Sequence, residues 1–218
     1  MRLAAPRFAP AILLLLLAPA AARAERDALT AELAGAVTGT RLDPTIGSGA
    51  PVNGTLGGAE LRLRHGLSNR LEVQVGGFWN RTASFVNTGV ATTSGAGPVT
   101  ADLRRDVGRF GALVGARYIA WGTIWRVPVG VEAGWLRVSV TKQDLVDRSD
   151  PQRPASYGIR IGDERTNHLF VAPFAGLEWV ATDRLSFSVV PRLELPFGAR
   201  SAPAVVVPFA VGWSWFLL

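Results

Sequence analysis

The chain has 218 residues, no cysteine, 18% charged residues and a formal net charge of +6. A chain without cysteine does not draw on disulfides for stability, which in an exported protein means that stability comes from elsewhere. Its positive charge is carried by arginine, with Lys142 the one lysine, and is spread along the chain, which argues against a nucleic-acid partner.

Residues 1–24 read as a secretory signal peptide. Arg2 and Arg7 give a positive start, residues 11–18 (AILLLLLA) form an apolar run between Pro10 and Pro19, and Ala22-Arg23-Ala24 is a small-x-small cleavage site. The run is too short to span a membrane as a helix, and an uncleaved N-terminal anchor is the alternative. Removal of this leader takes three of the 23 basic residues and no acid, leaving 20 bases against 17 acids, or +3. Residues 25–218 are then one domain, and no later stretch offers about 18 continuous apolar residues.

Within that domain apolar and polar residues alternate with period two, the signature of half-buried strands. Leu29, Ala31, Leu33, Gly35 and Val37 alternate with Thr30, Glu32, Ala34 and Ala36. Strands follow at residues 56–65 and 70–80, where Leu61 and Leu63 oppose Arg62 and Arg64, and Leu71, Val73 and Val75 oppose Glu72 and Gln74. Phe110, Ala112, Val114, Ala116 and Tyr118 carry the fourth strand, with Gly111, Leu113, Gly115 and Arg117 on its other face. Val127, Val129, Val131, Ala133 and Trp135 face away from Arg126, Glu132 and Gly134 in the fifth. Leu169, Val171, Ala175, Leu177 and Trp179 face away from Ala172, Gly176 and Glu178 in the sixth. Leu185, Phe187, Val189, Leu193 and Leu195 oppose Ser186, Ser188, Arg192 and Glu194 in the seventh, and Val207, Phe209, Val211, Trp213 and Trp215 oppose Ala210, Gly212 and Ser214 in the eighth.

The connections between these eight strands alternate in kind. Residues 66–69, 120–123 and 181–184 are short turns, whereas 39–54, 81–108 and 141–167 are long loops and 198–203 is of modest length. Short turns at one end and long loops at the other are the asymmetry of an up-and-down outer-membrane barrel. Two polarities are open: a lipocalin-like soluble barrel with its apolar face inward, or a membrane barrel with that face on lipid. Three features favour the membrane. Glu32, Glu60, Arg62, Arg64, Glu72, Arg117, Glu132, Glu178, Arg192 and Glu194 share the polar parity, among small residues that suit a narrow, ion-paired lumen. Trp125 and Trp135, and likewise Phe187 and Phe197, lie ten residues apart on the apolar face; at about 3.3 Å per residue and a tilt of about 40° they mark two aromatic girdles roughly 25 Å apart. The chain also ends in an alternating apolar strand, VVVPFAVGWSWFLL.

This pattern resembles the small eight-stranded outer-membrane β-barrels of the OmpA/OmpX type. The resemblance implies an all-β, eight-stranded antiparallel up-and-down transmembrane β-barrel in the bacterial outer membrane. It also implies two partners: outer-membrane lipid including lipopolysaccharide, and the assembly machinery that reads the C-terminal strand. Leu217 stands where such strands carry a final aromatic. Pro128, Pro173, Pro191 and Pro208 fall inside the strands, so bulges or register shifts are expected there.

Nothing assembles into a catalytic, cofactor or metal site. Some related barrels modify lipid using a histidine with a serine and an acid, but His65 is at the periplasmic end and His168 has no serine beside it on its face. Asp144, Asp147 and Asp150 share their loop with Lys142, Arg148, Arg153, Arg160 and Arg165, which reads as a solvated loop and not a cation site. A structural or surface-interaction role through the outer loops is the expectation. A small passage for apolar solutes and a lipid-modifying enzyme are the alternatives.

Overall fold

The computed structural model describes residues 27–94, 97–147, 155–198 and 202–216; the expected leader, Leu217 and Asp150 lie outside them. The strands are β1 (Ala28–Leu42), β2 (Val52–Gly66), β3 (Leu71–Ser94), β4 (Gly97–Trp121), β5 (Trp125–Asp147), β6 (Ala155–Ile161), β7 (Glu164–Ala175), β8 (Leu177–Val180), β9 (Leu185–Val189), β10 (Arg192–Pro196) and β11 (Ala204–Phe216). They make eight antiparallel staves. β6, β7 and β8 follow one another along the sixth, all pairing with β5, and β9 and β10 share the seventh. β1 pairs with β2 on one side and with β11 on the other, from Ala28↔Phe216 to Thr40↔Ala204, so the sheet closes on itself. Among the described residues, closure removes the free edges of the barrel wall and lets the lumen and outside faces be read from residue parity.

The prolines disturb this sheet less than expected. Only Pro128 sits at a register shift, between Ile119↔Pro128 and Trp121↔Val127. Pro173 and Pro208 pair in register with Val131 and Ala36. At Pro191 the ladder is interrupted, yet Leu177↔Val189 and Arg192↔Phe174 continue one register across the gap. A proline forfeits one ladder hydrogen bond without having to displace its neighbours.

The larger correction concerns residues 81–108 and 141–167, read from sequence as loops. β3 and β4 run on as a paired hairpin to Ser94↔Gly97, and β5 extends to Asp147 alongside β6. Shifts at Asn80/Ala83 and Asn87/Val90, and in β4–β5 at Arg104/Asp106, mark bulges; Gly89 (φ 65°) and Lys142 (φ 50°) take the left-handed backbone at two of them. Such bulges bend a long hairpin and strengthen its twist.

Polarity inverts along these same strands. In the lower part Leu33, Val75, Val114, Val131, Leu169 and Phe209 are exposed, while Glu32, Arg62, Arg64, Glu72, Arg117, Glu132 and Glu178 are buried. In the extensions Arg81, Thr82, Ser84, Arg104, Lys142 and Arg165 face solvent, and Leu56, Phe85, Val90, Leu103, Val107 and Leu145 are buried inside. The lower polarity suits lipid outside, and the upper suits water outside. The switch falls at the outer aromatic girdle, where the Phe110 and Trp135 rings meet edge to face with centroids 5.4 Å apart. Trp125, Trp179 and Phe187 stack into the girdle at the short-turn end, with centroid distances of 6.0 and 5.5 Å.

Candidate functional site: the closed lumen and its outer cavity

All ten charged residues assigned to the lumen by parity are buried inside the barrel. Antiparallel pairing brings Arg64 opposite Thr30 and Gln74, and Glu72 opposite Arg117, so charges from neighbouring staves meet across a narrow interior. Near the short turns the Arg64 guanidinium donates to Glu72 at 2.9 Å and to Glu178 at 2.9 Å, with Glu32 at 3.4 Å. Arg117 reaches Glu72 at 3.1 Å and also bonds Glu178, and the Ser188 hydroxyl donates to Glu32 at 3.1 Å. One layer further out, Arg192 grips Glu60 with both terminal nitrogens, at 2.8 and 2.6 Å, and reaches Glu194 at 3.1 Å. Arg62 bridges Glu60 at 2.8 Å and Glu132 at 3.2 Å, and Gln74 donates to Glu132 at 2.6 Å. Arg109 closes the network on Glu194.

Buried charge is tolerated here because every carboxylate is shared between donors. Glu178 is 1% exposed and has two guanidinium partners. The glycines of β4 and β5 make room for large inward side chains. A Cβ on Gly111 would lie 2.6 Å from the Phe78 ring, and one on Gly134 would lie 2.8 Å from the Phe170 ring. Phe78, Leu113, Leu136, Phe170 and Ala172 form an apolar layer above the ion pairs, with the two phenylalanine rings edge to face at 6.1 Å. The Arg192 guanidinium lies 5.6 Å from the centre of the Phe78 ring, which joins the two layers.

Sequence reasoning missed Arg105 and Arg109, both buried in the lumen. The signal was present, since both continue the inward parity of Gly111, Leu113 and Arg117, but Arg105 lay in the stretch read as a loop and Arg109 stood just past its end. Arg105 secures the segment between β1 and β2, donating to the Asp43 carbonyl at 2.6 Å and to Asn87 at 2.8 Å. Asn87 donates in turn to the carbonyls of Leu42 and Ala50, and Ser48 bridges to Ala91. This segment is therefore tied across the outer mouth. Beneath it lies a cavity of about 470 Å³, bounded by Thr40–Gly47 and the inward faces of β4, β5, β7, β10 and β11.

His168 opens onto this cavity and its Nε2 lies 3.0 Å from the Thr166 hydroxyl; among the described residues no carboxylate hydrogen-bonds to its ring. His65 shares the outward parity of Leu61 and Leu63 beside the short β2–β3 turn. Among the described residues no three His, Asp or Glu side chains are grouped to hold a metal ion. The side chains of Asp147 and Arg160, and residues 148–154 entirely, lie outside the described part of the loop once weighed as a cation site.

A closed eight-stave barrel with an apolar belt between two aromatic girdles and an ion-paired interior defines a small outer-membrane β-barrel. Solved structures with a TM-score of 0.50 or above agree on the fold. The crystal structure of Ail, the attachment invasion locus protein of Yersinia pestis, is 10% identical and matches 88% of this chain and 100% of its own with a TM-score of 0.50. The same protein in complex with the heparin analogue sucrose octasulfate gives 0.53 at the same identity and coverage. The outer membrane protein OprG from Pseudomonas aeruginosa is 12% identical over 88% of this chain and 98% of its own, with a TM-score of 0.48. No protein-family model and no curated protein sequence matches the chain.

Proposed function

We propose that this chain is a closed outer-membrane barrel serving a structural or surface-interaction role through its outer hairpin, and not a pore or an enzyme. The observation that carries this reading is the β3–β4 hairpin, paired to Ser94↔Gly97 far beyond the girdle residues Trp79 and Phe110. Fourteen residues, 81–94, stand beyond the girdle on β3, about 45 Å of strand measured along its length. An apolar interior makes this extension a stiff platform: Phe85, Val107 and Leu56 in one layer, Val90, Leu103 and Leu145 in the next. On its outer surface the Asp106 carboxyl accepts from Ser84 and faces Lys142 at 3.1 Å, which together hold it below the ordinary carboxylate range.

Two further features support the partners this role implies. The Arg137 guanidinium sits over the rings of Phe110 (5.6 Å) and Trp135 (5.5 Å), at the height where a lipid presents its headgroup. A cation so placed suits the phosphates of lipopolysaccharide. Phe209, Val211, Trp213 and Trp215 line the exposed face of β11, the surface offered to an assembly factor. The likeness in fold to Ail, a protein named for attachment and invasion, agrees with surface interaction.

Because the chain has no native cysteine, single cysteines report its topology cleanly. Thr93→Cys near the hairpin tip reacts with a membrane-impermeant maleimide on intact cells. Asn69→Cys, in a short turn, reacts only after lysis. Labelling of Asn69→Cys and not Thr93→Cys on sealed cells contradicts surface presentation by the hairpin.

A further inference from the structure

The outer cavity has an apolar wall with a polar margin. Val107, Leu136, Val138 and Val140 from β4 and β5 make it apolar, and Thr166 and His168 on the adjacent β7, cross-strand from Val138 and Leu136, place hydrogen-bonding groups beside it. Its volume, about 470 Å³, is that of a small-molecule site, commonly ~300–1,000 Å³. The charged groups on its wall balance: Arg41, Arg105 and Arg109 against Asp43, Glu164 and Glu194. The two buried arginines are also engaged, Arg109 with Glu194, and Arg105 with the Asp43 carbonyl and Asn87. A charged guest therefore meets no net counter-charge on the wall, and burying it would carry a desolvation cost. An apolar body, by contrast, gains by leaving water for the valine wall. The cavity does not continue inward. Its floor is Arg109, Glu194 and Leu136, beneath which the Phe78–Phe170 layer and the Arg192 network fill the lumen.

We propose that this blind cavity binds a small uncharged amphipathic molecule, its apolar body against Val107, Leu136, Val138 and Val140 and its hydroxyl or amide group at Thr166 and His168. The site holds its ligand on the outer side and does not pass it through the barrel. It is independent of the hairpin's surface role, and the two fail in different experiments.

The test is fluorine NMR on the full barrel in lipid nanodiscs, with empty nanodiscs as the baseline for partition into lipid. The probe is trifluoromethylbenzyl alcohol, compared with the corresponding benzoate and benzylammonium ions. The alcohol shows saturable, protein-dependent line broadening, and both ions bind at least tenfold more weakly. Val138→Trp fills the cavity and abolishes saturable binding, while heat-shifted gel mobility confirms that the variant is folded. Thr166→Val keeps the volume, removes the hydroxyl, and weakens the alcohol by about threefold to tenfold, the loss of one hydrogen bond. Absence of saturable alcohol binding to the wild type overturns the proposal. So does undiminished binding to folded Val138→Trp, or an ion that binds as well as the alcohol.

Discussion

Arg192→Ala lowers the unfolding free energy of the barrel by about 3–5 kcal/mol, the range for deleting one partner of a buried ion pair. Arg192 is 2% exposed and, among the described residues, ties Glu60 to Glu194. Its removal leaves Glu60 with Arg62, and Glu194 with Arg109. Both carboxylates stay in the interior with fewer donors than acceptor sites, so the loss reflects stranded charge more than lost attraction. Urea unfolding in detergent or lipid, followed by tryptophan fluorescence, measures it. The double variant Arg192→Met with Glu60→Leu recovers part of the loss, since replacing both partners with apolar groups removes the stranded carboxylate. A cost below about 1 kcal/mol for Arg192→Ala, the value of an exposed pair, would mean that the lumen is hydrated.

Val131→Arg costs about 2–4 kcal/mol, the depth-dependent cost of a cation on the lipid face of a barrel near the bilayer midplane. Val131 lies between Trp125 and Trp135 on the same strand and face, is 47% exposed in the isolated chain, and pairs with Ala116 and Pro173. Val129 and Val189 share its outward face, so arginine there is costly as well, less so as the position approaches a girdle. The same substitution at Ser139, just above the Trp135 girdle on that strand, changes stability little. Equal cost at Val131 and Ser139 would place the membrane boundary elsewhere.

Much of this architecture was legible because strand parity is a strict code. Once Leu61, Leu63, Val73 and Val75 are put on lipid, Arg62, Arg64, Glu72 and Gln74 have only the lumen to enter, and closure brings them to partners on neighbouring staves. The girdles were legible for the same reason, as pairs of aromatics ten residues apart on one face. The outer extensions were not. Above Phe110 the strands leave lipid, so Leu103, Arg105, Val107 and Arg109 keep the inward parity while the outward positions turn polar. A search for apolar residues on the lipid parity stops where the solvent changes. The bulges at Asn80/Ala83 and Asn87/Val90 then shift the pattern by a residue each time, which makes β3 look irregular. The cavity had no sequence signal, because its walls come from six strands, β1 among them, and from the segments next to β1 and β11, which meet only on closure. The prolines misled in the other direction. Their lost hydrogen bonds were plain in the sequence, but the neighbouring staves that hold Pro191 and Pro208 in register were not.

The central claim is that the lumen is closed by its own side chains, with Arg64, Arg117 and Glu178 near the short turns, Arg192 and Glu60 above them, and the Phe78–Phe170 layer on top. An eight-stranded barrel is just wide enough for side chains to fill, and here they do so with paired charges. Single-channel recording of the purified, folded protein in planar bilayers tests this most directly. The account predicts no steady conductance above that of the empty bilayer; long-lived, reproducible open channels from the wild-type protein would contradict it.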